Sequence, residues 1–410
     1  MSTLRRPSPL STRIRGGAMA AMAWNLLSVA ASAAPYVPAD DAEVLESLPR
    51  SLLAGQGELA QLRGQLDAGP DDPEVAAAVA QRYLQIGTDA GDPRYFGYAR
   101  AALSRWWEQP AAPTGILRLR AKLREKDHLY DAAIADLRAL LVQQPADAQA
   151  WVELSNIYRV QGKYEHAEKA IERLSRVATA GAVAYARIPL LAVTGRVAQA
   201  DRLLTAIAQV TADDAAPNTW LAAMQADVAR MRGDDRRAER RYRQGLQASP
   251  DNLYLLRAYG DFLLDRGRDR EALELLIDHG NDNGALLGAT IALTRLGAQQ
   301  QAAKWTAVLA SRFEEIRMRG SQPHGRYEAR FHLQVLDDPE RALEVALANW
   351  QQQRELRDSQ VVLQAALAAK QAAAARPVVE FLQRHGTDDA DLNSLLEHLK
   401  PLIEQSGAPQ

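Results

Sequence analysis

From about residue 70 onward, apolar residues recur at helical spacing, in short segments parted by a glycine or a charged turn. The stretch 148–181 shows this most clearly. Trp151, Leu154, Ile157 and Tyr158 fall at i, i+3, i+6 and i+7, one stripe of a helix. Gly162 follows, the residue type that ends helices in the left-handed conformation. Tyr164, Ala167, Ile171 and Leu174 then stripe a second helix. No sustained period-two alternation bounded by hairpin turns occurs, so no strand is expected.

The pattern is periodic on a larger scale. Tyr130, Ala133 and Leu137 stand 34 positions before Tyr164, Ala167 and Ile171, and Pro145 closes that earlier unit, 114–147. Downstream, Gly233 and Ala238 in 219–252 are matched 34 positions later by Gly267 and Ala272 in 253–282. Small residues (Ala133, Ala167, Ala238, Ala272) recur where two helices must cross closely. Large ones (Trp151, Tyr158, Tyr164, Tyr242) recur where the crossing leaves space. One such pair cannot bury both faces, so pairs must stack.

The unit 148–181 resembles the tetratricopeptide repeat (TPR) family, with Trp151, Leu154, Ser155, Tyr158, Gly162, Tyr164, Ala167 and Ile171 in the signature slots. The resemblance is strong over 114–282 and weak elsewhere. Residues 181–214 keep Gly195, Ala200 and Leu204 but place Pro189 inside the first helix, where a kink or shortened helix is expected. Residues 323–356 keep Ala342 and Trp350, and 357–386 keep Val361, Leu367, Val379 and Leu382. The resemblance implies an all-α, right-handed superhelical α-solenoid of eight or nine TPR-like helix pairs. The expected division is a signal peptide at 1–33, a linker and capping helix at 34–69, and a TPR array at 70–312. An irregular joint at 313–322, degenerate TPR-like repeats at 323–386, and a capping helix with its tail at 387–410 complete it.

The first forty residues carry a different signal. Arg5, Arg6, Arg13 and Arg15 precede an apolar run at 18–31, and Ala31-Ser32-Ala33 follows. A basic segment, a short apolar run and an A-x-A site mark an export signal, with cleavage expected after Ala33. The run is too short for a membrane span, which needs ~20 residues; retention as an anchor is the alternative. Cleavage would leave 45 basic and 51 acidic groups, mildly acidic, and no integral membrane segment. With no cysteine there is neither a disulfide framework nor an acylation site. The near-neutral charge argues against nucleic acid as a partner.

Familiar catalytic chemistry is missing from the motifs. None of the seven histidines lies in an HExxH, and no glycine-rich phosphate loop or nucleophile elbow occurs. His324 and His332, eight apart, hint at a metal; loop histidines are the simpler reading. The pairs Asp71-Asp72, Asp213-Asp214, Asp337-Asp338 and Asp388-Asp389 sit at turns, where Asp caps the next helix. The basic run at 230–243 reads as a salt-bridged face, with anionic glycan contact through 236–243 as the other option.

The family's groove slots, on the first helix of each pair, fall here on Arg118, Lys122 and Asn156, Arg159, then Trp220, Asp227 and Arg230, then Tyr254, Arg257 and Asp261. Arginines beside aromatics suit an extended peptide. Lys122 stands where family members that clamp a C-terminal carboxylate carry Asn. The resemblance therefore implies a non-enzymatic periplasmic or secreted scaffold, binding protein or peptide partners in its groove, with no catalytic residue, metal or cofactor. A cell-envelope assembly for polysaccharide export, cytochrome maturation or secretion is the expected setting. The rivals are a catalytic or metal site in 311–332 and a glycan-binding solenoid.

Overall fold

Apolar stripes at helical spacing become helices throughout. In a computed structural model that describes residue 40 and residues 56–210, 219–318 and 325–406, the regular elements are all helical. They fall in one unit, Pro49–Gln410. The expected export signal and Asp213-Asp214 lie outside the described residues. So does part of the expected joint, 319–322; its remainder, 313–318, belongs to a helix.

After α1 (Gln56–Ala68) come nine helix pairs and a final helix. The first pairs are α2 (Pro73–Ala90) with α3 (Arg94–Ala102), α4 (Thr114–Lys126) with α5 (Tyr130–Gln143), and α6 (Ala148–Val160) with α7 (Tyr164–Leu174). Next are α8 (Ala180–Val193) with α9 (Val197–Val210), α10 (Thr219–Met231) with α11 (Asp235–Ala248), and α12 (Leu253–Asp265) with α13 (Asp269–Leu276). Then follow α14 (Asn283–Arg295) with α15 (Gln299–Met318), α16 (Gly325–Gln334) with α17 (Pro339–Gln352), α18 (Leu356–Ala368) with α19 (Arg376–Arg384), and last α20 (Ala390–Ser406). Within each pair the helices pack on each other, and most first helices also pack on the first helix of the next pair, as a solenoid requires.

The small-residue slots are the tightest points of the core. Ala133, Ala167, Ala200, Ala238, Ala272 and Ala342 are fully buried, and Tyr158, Tyr164 and Tyr242 fill the wider gaps. Asp72, Asp338 and Asp389 cap α2, α17 and α20, each accepting backbone N–H bonds in the first turn. Pro189 sits within α8 and the helix runs through it. The missing N–H frees the carbonyl of Tyr185 on a side that lines a cavity, where solvent can satisfy it.

Every pair turns through one residue with positive φ. Glycine supplies it at Gly91, Gly162, Gly195, Gly233, Gly267 and Gly297. In the other three pairs the turn is made by His128, Asp337 and Lys370, with φ of 59°, 53° and 56°. These L-residues accept a strain of roughly 1–2 kcal/mol each.

The array does not stay open. The turns of early pairs rest on the loops that lead into the first helices of later pairs. The Arg354 N–H donates to the Val160 carbonyl at 2.7 Å, and Tyr130 Oη donates to Gln353 Oε1 at 3.0 Å. Phe381 packs on Tyr164, and Thr387 Oγ1 donates to the Val193 carbonyl at 3.1 Å. Gly91 lies against Leu253 and Asp282 in the same manner. One hydrophobic core accordingly joins residues of α2–α10 to residues of α16–α20. The helical path completes a turn and stacks on itself. α18 pays the structural consequence in composition: nine of its residues are buried, Asp358, Ser359 and Gln360 among them.

Gly195 sits where this contact is closest, at φ +70°, and a Cβ there would overlap the Gly386 carbonyl. Gly267 has φ +68° with open space around it. Gly267→Ala should therefore lose about 1–2 kcal/mol, the left-handed strain alone. Gly195→Ala should lose more, by roughly 1–3 kcal/mol of forced displacement. Urea denaturation checks this, and equal losses would mean that the two turns do not touch at Gly195.

Candidate functional site

One turn and the next together line a half-open cavity of about 1040 Å³. Its walls are the first helices α6, α8, α10 and α12, with Glu125 from α4. The later turn adds Arg326 and Tyr327 from α16 and residues 355–357 at the start of α18. Of the groove residues expected from the sequence, Asn156, Arg159, Trp220, Asp227, Arg230, Tyr254, Arg257 and Asp261 line this cavity together. Arg118 and Lys122 are not among its lining: Arg118 pairs with Asp147 and Glu153, and Lys122 lies 3.4 Å from Glu153.

One side of the cavity is aromatic. The rings of Tyr185 and Trp220 stack 4.4 Å apart at 33°. Tyr185 is 46% exposed and Tyr254 48%, and both line the cavity. Met224 lies beside them, half-buried. Tyr254 is held by its hydroxyl, which donates to Asp227 Oδ2 at 2.6 Å, while Tyr242 Oη donates to Oδ1 of the same carboxylate at 2.7 Å. Burial, and then the Asp227 charge, push the Tyr242 phenol well above its ordinary pKa, so it remains a donor.

The other side is ionic, and it joins the two turns. Arg159 donates to Asn156 Oδ1 at 2.8 Å and to Glu355 Oε1 at 3.4 Å. Arg326 lies 3.6 Å from Glu355 and 3.7 Å from Asp358. Burial works against the Glu355 charge, but Arg159 and Arg326 outweigh it and hold the carboxyl below its usual range. Asp358 is pushed up to about 7, by burial first, although Arg326, the Glu355 N–H and Asn349 Nδ2 favour its charge. Further along, Arg230 pairs with Asp389 at 2.9 Å and Asp391 at 2.6 Å, and Asp261 with Arg330 at 2.6 Å. Arg159, Arg230 and Asp261 are thus engaged by the chain itself, while Tyr185 and Tyr254 line the cavity half-exposed.

Sequence reasoning missed Tyr185, which lies in the unit that Pro189 disguises. It also missed Arg326, Tyr327, Glu355 and Arg357, which reach the cavity only because the solenoid closes. Elsewhere, among the described residues no three His, Cys, Asp or Glu side chains cluster as a metal site. His332 lies 3.7 Å from Asp338, and His324 falls outside the described residues. On α11, Arg237 and Arg243 pair with Asp201 and Glu239, while Arg236 and Arg240 are exposed. No described helix is long and apolar enough to cross a membrane.

Nine helix pairs with buried small-residue crossings and a left-handed turn in each decide the architecture. The fold is TPR-like. No family model matches the sequence, and no curated protein matches it. Among solved structures it is similar to a tetratricopeptide repeat protein from Parabacteroides merdae ATCC 43184, at 17% identity over 56% of this chain and 89% of that one, with a TM-score of 0.42. It is similar to human IFIT1, solved as a dimer with PPP-AAAA, at 14% identity over 82% and 80% of the two chains, TM-score 0.47. The APC/C hetero-tetramer Cut9-Hcn1 gives 13% identity over 87% and 84%, TM-score 0.40. At these identities the likeness is one of fold alone.

Asp358 gives this TPR-like seam a pH dependence. Its raised pKa means that the folded state holds its proton more tightly than the unfolded state. The resulting stability is fully present below the unfolded value near 4 and is lost as the pH rises through about 7. Asp358→Asn should therefore compare less favourably with the parent at pH 5 than at pH 8, measured as the difference in Tm. A difference constant from pH 5 to pH 8 would show that Asp358 is ionised throughout.

Proposed function

We propose that this protein is a non-enzymatic binding scaffold that admits an extended segment of a partner protein into its central cavity. The observation that carries this is the aromatic ledge of Tyr185, Trp220 and Tyr254, whose two tyrosines are half-exposed inside a cavity of peptide-sized volume. The cavity wall carries five carboxylates (Glu125, Glu153, Asp227, Asp261, Glu355) and five arginines (Arg159, Arg230, Arg257, Arg326, Arg357). Such a balance suits the mixed polarity of a polypeptide and offers no net attraction to a phosphate chain. Asn156 and Arg257 are placed to read backbone or side-chain polar groups at the ledge.

The N-terminal sequence supports export, and an exported scaffold of this type would act in the periplasm within an envelope assembly. The paired ions on α11 make the glycan reading the weaker one, although Arg236 and Arg240 keep it testable.

A photo-crosslinking residue in place of Trp220, compared with one at exposed Gln244 on α11, tests the cavity as the binding site. Partner adducts should form from position 220 and be absent from 244. Separately, Tyr185→Ala should weaken the captured partner about 10-fold, the effect of truncating an aromatic anchor. Adducts from 244 alone, or affinity unchanged by Tyr185→Ala, would contradict the proposal.

A further inference from the structure

A second concavity shares no lining residue with the cavity. It is a slot of about 500 Å³ between α5 and α7, with α6 as its floor. Leu141, Leu154 and Tyr158 form its buried base, and Val142, 82% exposed, stands at its edge. Trp151 adds an apolar wall, since its indole N–H already donates to the Pro145 carbonyl at 3.0 Å. The Tyr158 hydroxyl is likewise satisfied, accepting from Arg138 at 2.7 Å. An apolar interior with its polar atoms occupied has little to offer water and much to offer a hydrocarbon side chain.

The rim has one sign. Arg138, Lys169 and Arg173 line the slot, with His166, and no carboxylate does. Lys169 and Arg173 are one helical turn apart on α7, a like-charge spacing that costs an isolated helix stability. Among the described residues neither has an ion-pair partner. The acids next to them serve other cations: Glu168 lies 3.7 Å from Arg187 and 3.8 Å from Arg196, and Glu172 lies 2.6 Å from Arg176. α7 carries three carboxylates, Glu165, Glu168 and Glu172, but none of them lines the slot, and its free cations stand beside it.

We propose that this slot docks an acidic segment of a partner protein, seating one aromatic or aliphatic side chain between α5 and α7 with flanking carboxylates on Arg138, Lys169 and Arg173. Charge complementarity selects the occupant. A basic segment would meet three like charges, and a neutral one would leave the rim unpaired. The inference is independent of the central cavity, whose binding would not depend on α7.

The probe is a fluorescein-labelled peptide, acetyl-Glu-Asp-Leu-Phe-Glu-Asp-amide, titrated with the full chain and followed by anisotropy. Binding should weaken about 10-fold in Lys169→Glu/Arg173→Glu and also weaken in Val142→Asp, whose site is exposed enough to leave the fold intact. It should weaken between ~0.05 and ~0.3 M salt, be absent when lysines replace the acids, and be untouched by Trp220→Ala. Absence of binding, equal affinity for the parent and the charge-reversed variant, or loss of binding in Trp220→Ala would each overturn the proposal.

Discussion

The rest of the structure depends on the contact of one superhelical turn with the next. A TPR-like array is ordinarily held by neighbour-to-neighbour packing, and its ends need not meet. Here the Val160 carbonyl receives the Arg354 N–H, Gly195 abuts Gly386, and Arg230 is buried between Asp389 and Asp391. The desolvation of such buried ions offsets most of their attraction, so their net contribution to stability is small. Removing one partner is costly, however, and that asymmetry fixes which loop sits on which turn. Packing supplies the stability, through a core shared by α2–α10 and α16–α20.

That closure also defines the cavity. A solenoid of α2–α15 alone would present Arg159, Arg230 and Asp261 as free charges on an open inner face. With the later turn in place they bind Glu355, Asp389 and Arg330, and the aromatic side of the cavity keeps Tyr185 and Trp220 packed on each other. Asp358 records the cost of the same closure, since its carboxyl is carried into a site where its charge is poorly solvated. A change to the seam therefore alters the shape and charge of the cavity.

Features set by local packing were legible in the sequence. The alternation of Ala133, Ala167, Ala238 and Ala272 with Tyr158 and Tyr242 revealed the helix crossings, and Asp72 and Asp338 revealed helix starts. Eight of the ten groove positions, from Asn156 to Asp261, share one cavity because slot and curvature follow from the same repeat. Two repeats were harder to recognise because Asp337 and Lys370 make turns where glycine is the visible signal, whereas 114–147 was legible despite His128 at its turn because Tyr130, Ala133 and Leu137 keep the 34-residue register. The contributions of Arg326 and Glu355 were invisible for a different reason. They depend on how many pairs complete a turn, a sum of small rotations that no local pattern encodes.

Hydrogen exchange at the Arg354 amide tests the turn-on-turn contact most directly. This N–H lies in the loop between α17 and α18 and is satisfied only by Val160, more than 190 residues earlier. If the two turns form one cooperative body, it exchanges as slowly as the buried helical amides of α6 and α18. Exchange at the rate of an exposed loop, with α6 and α18 still protected, would show that the turns separate freely and that the cavity lined by both is not the resting state.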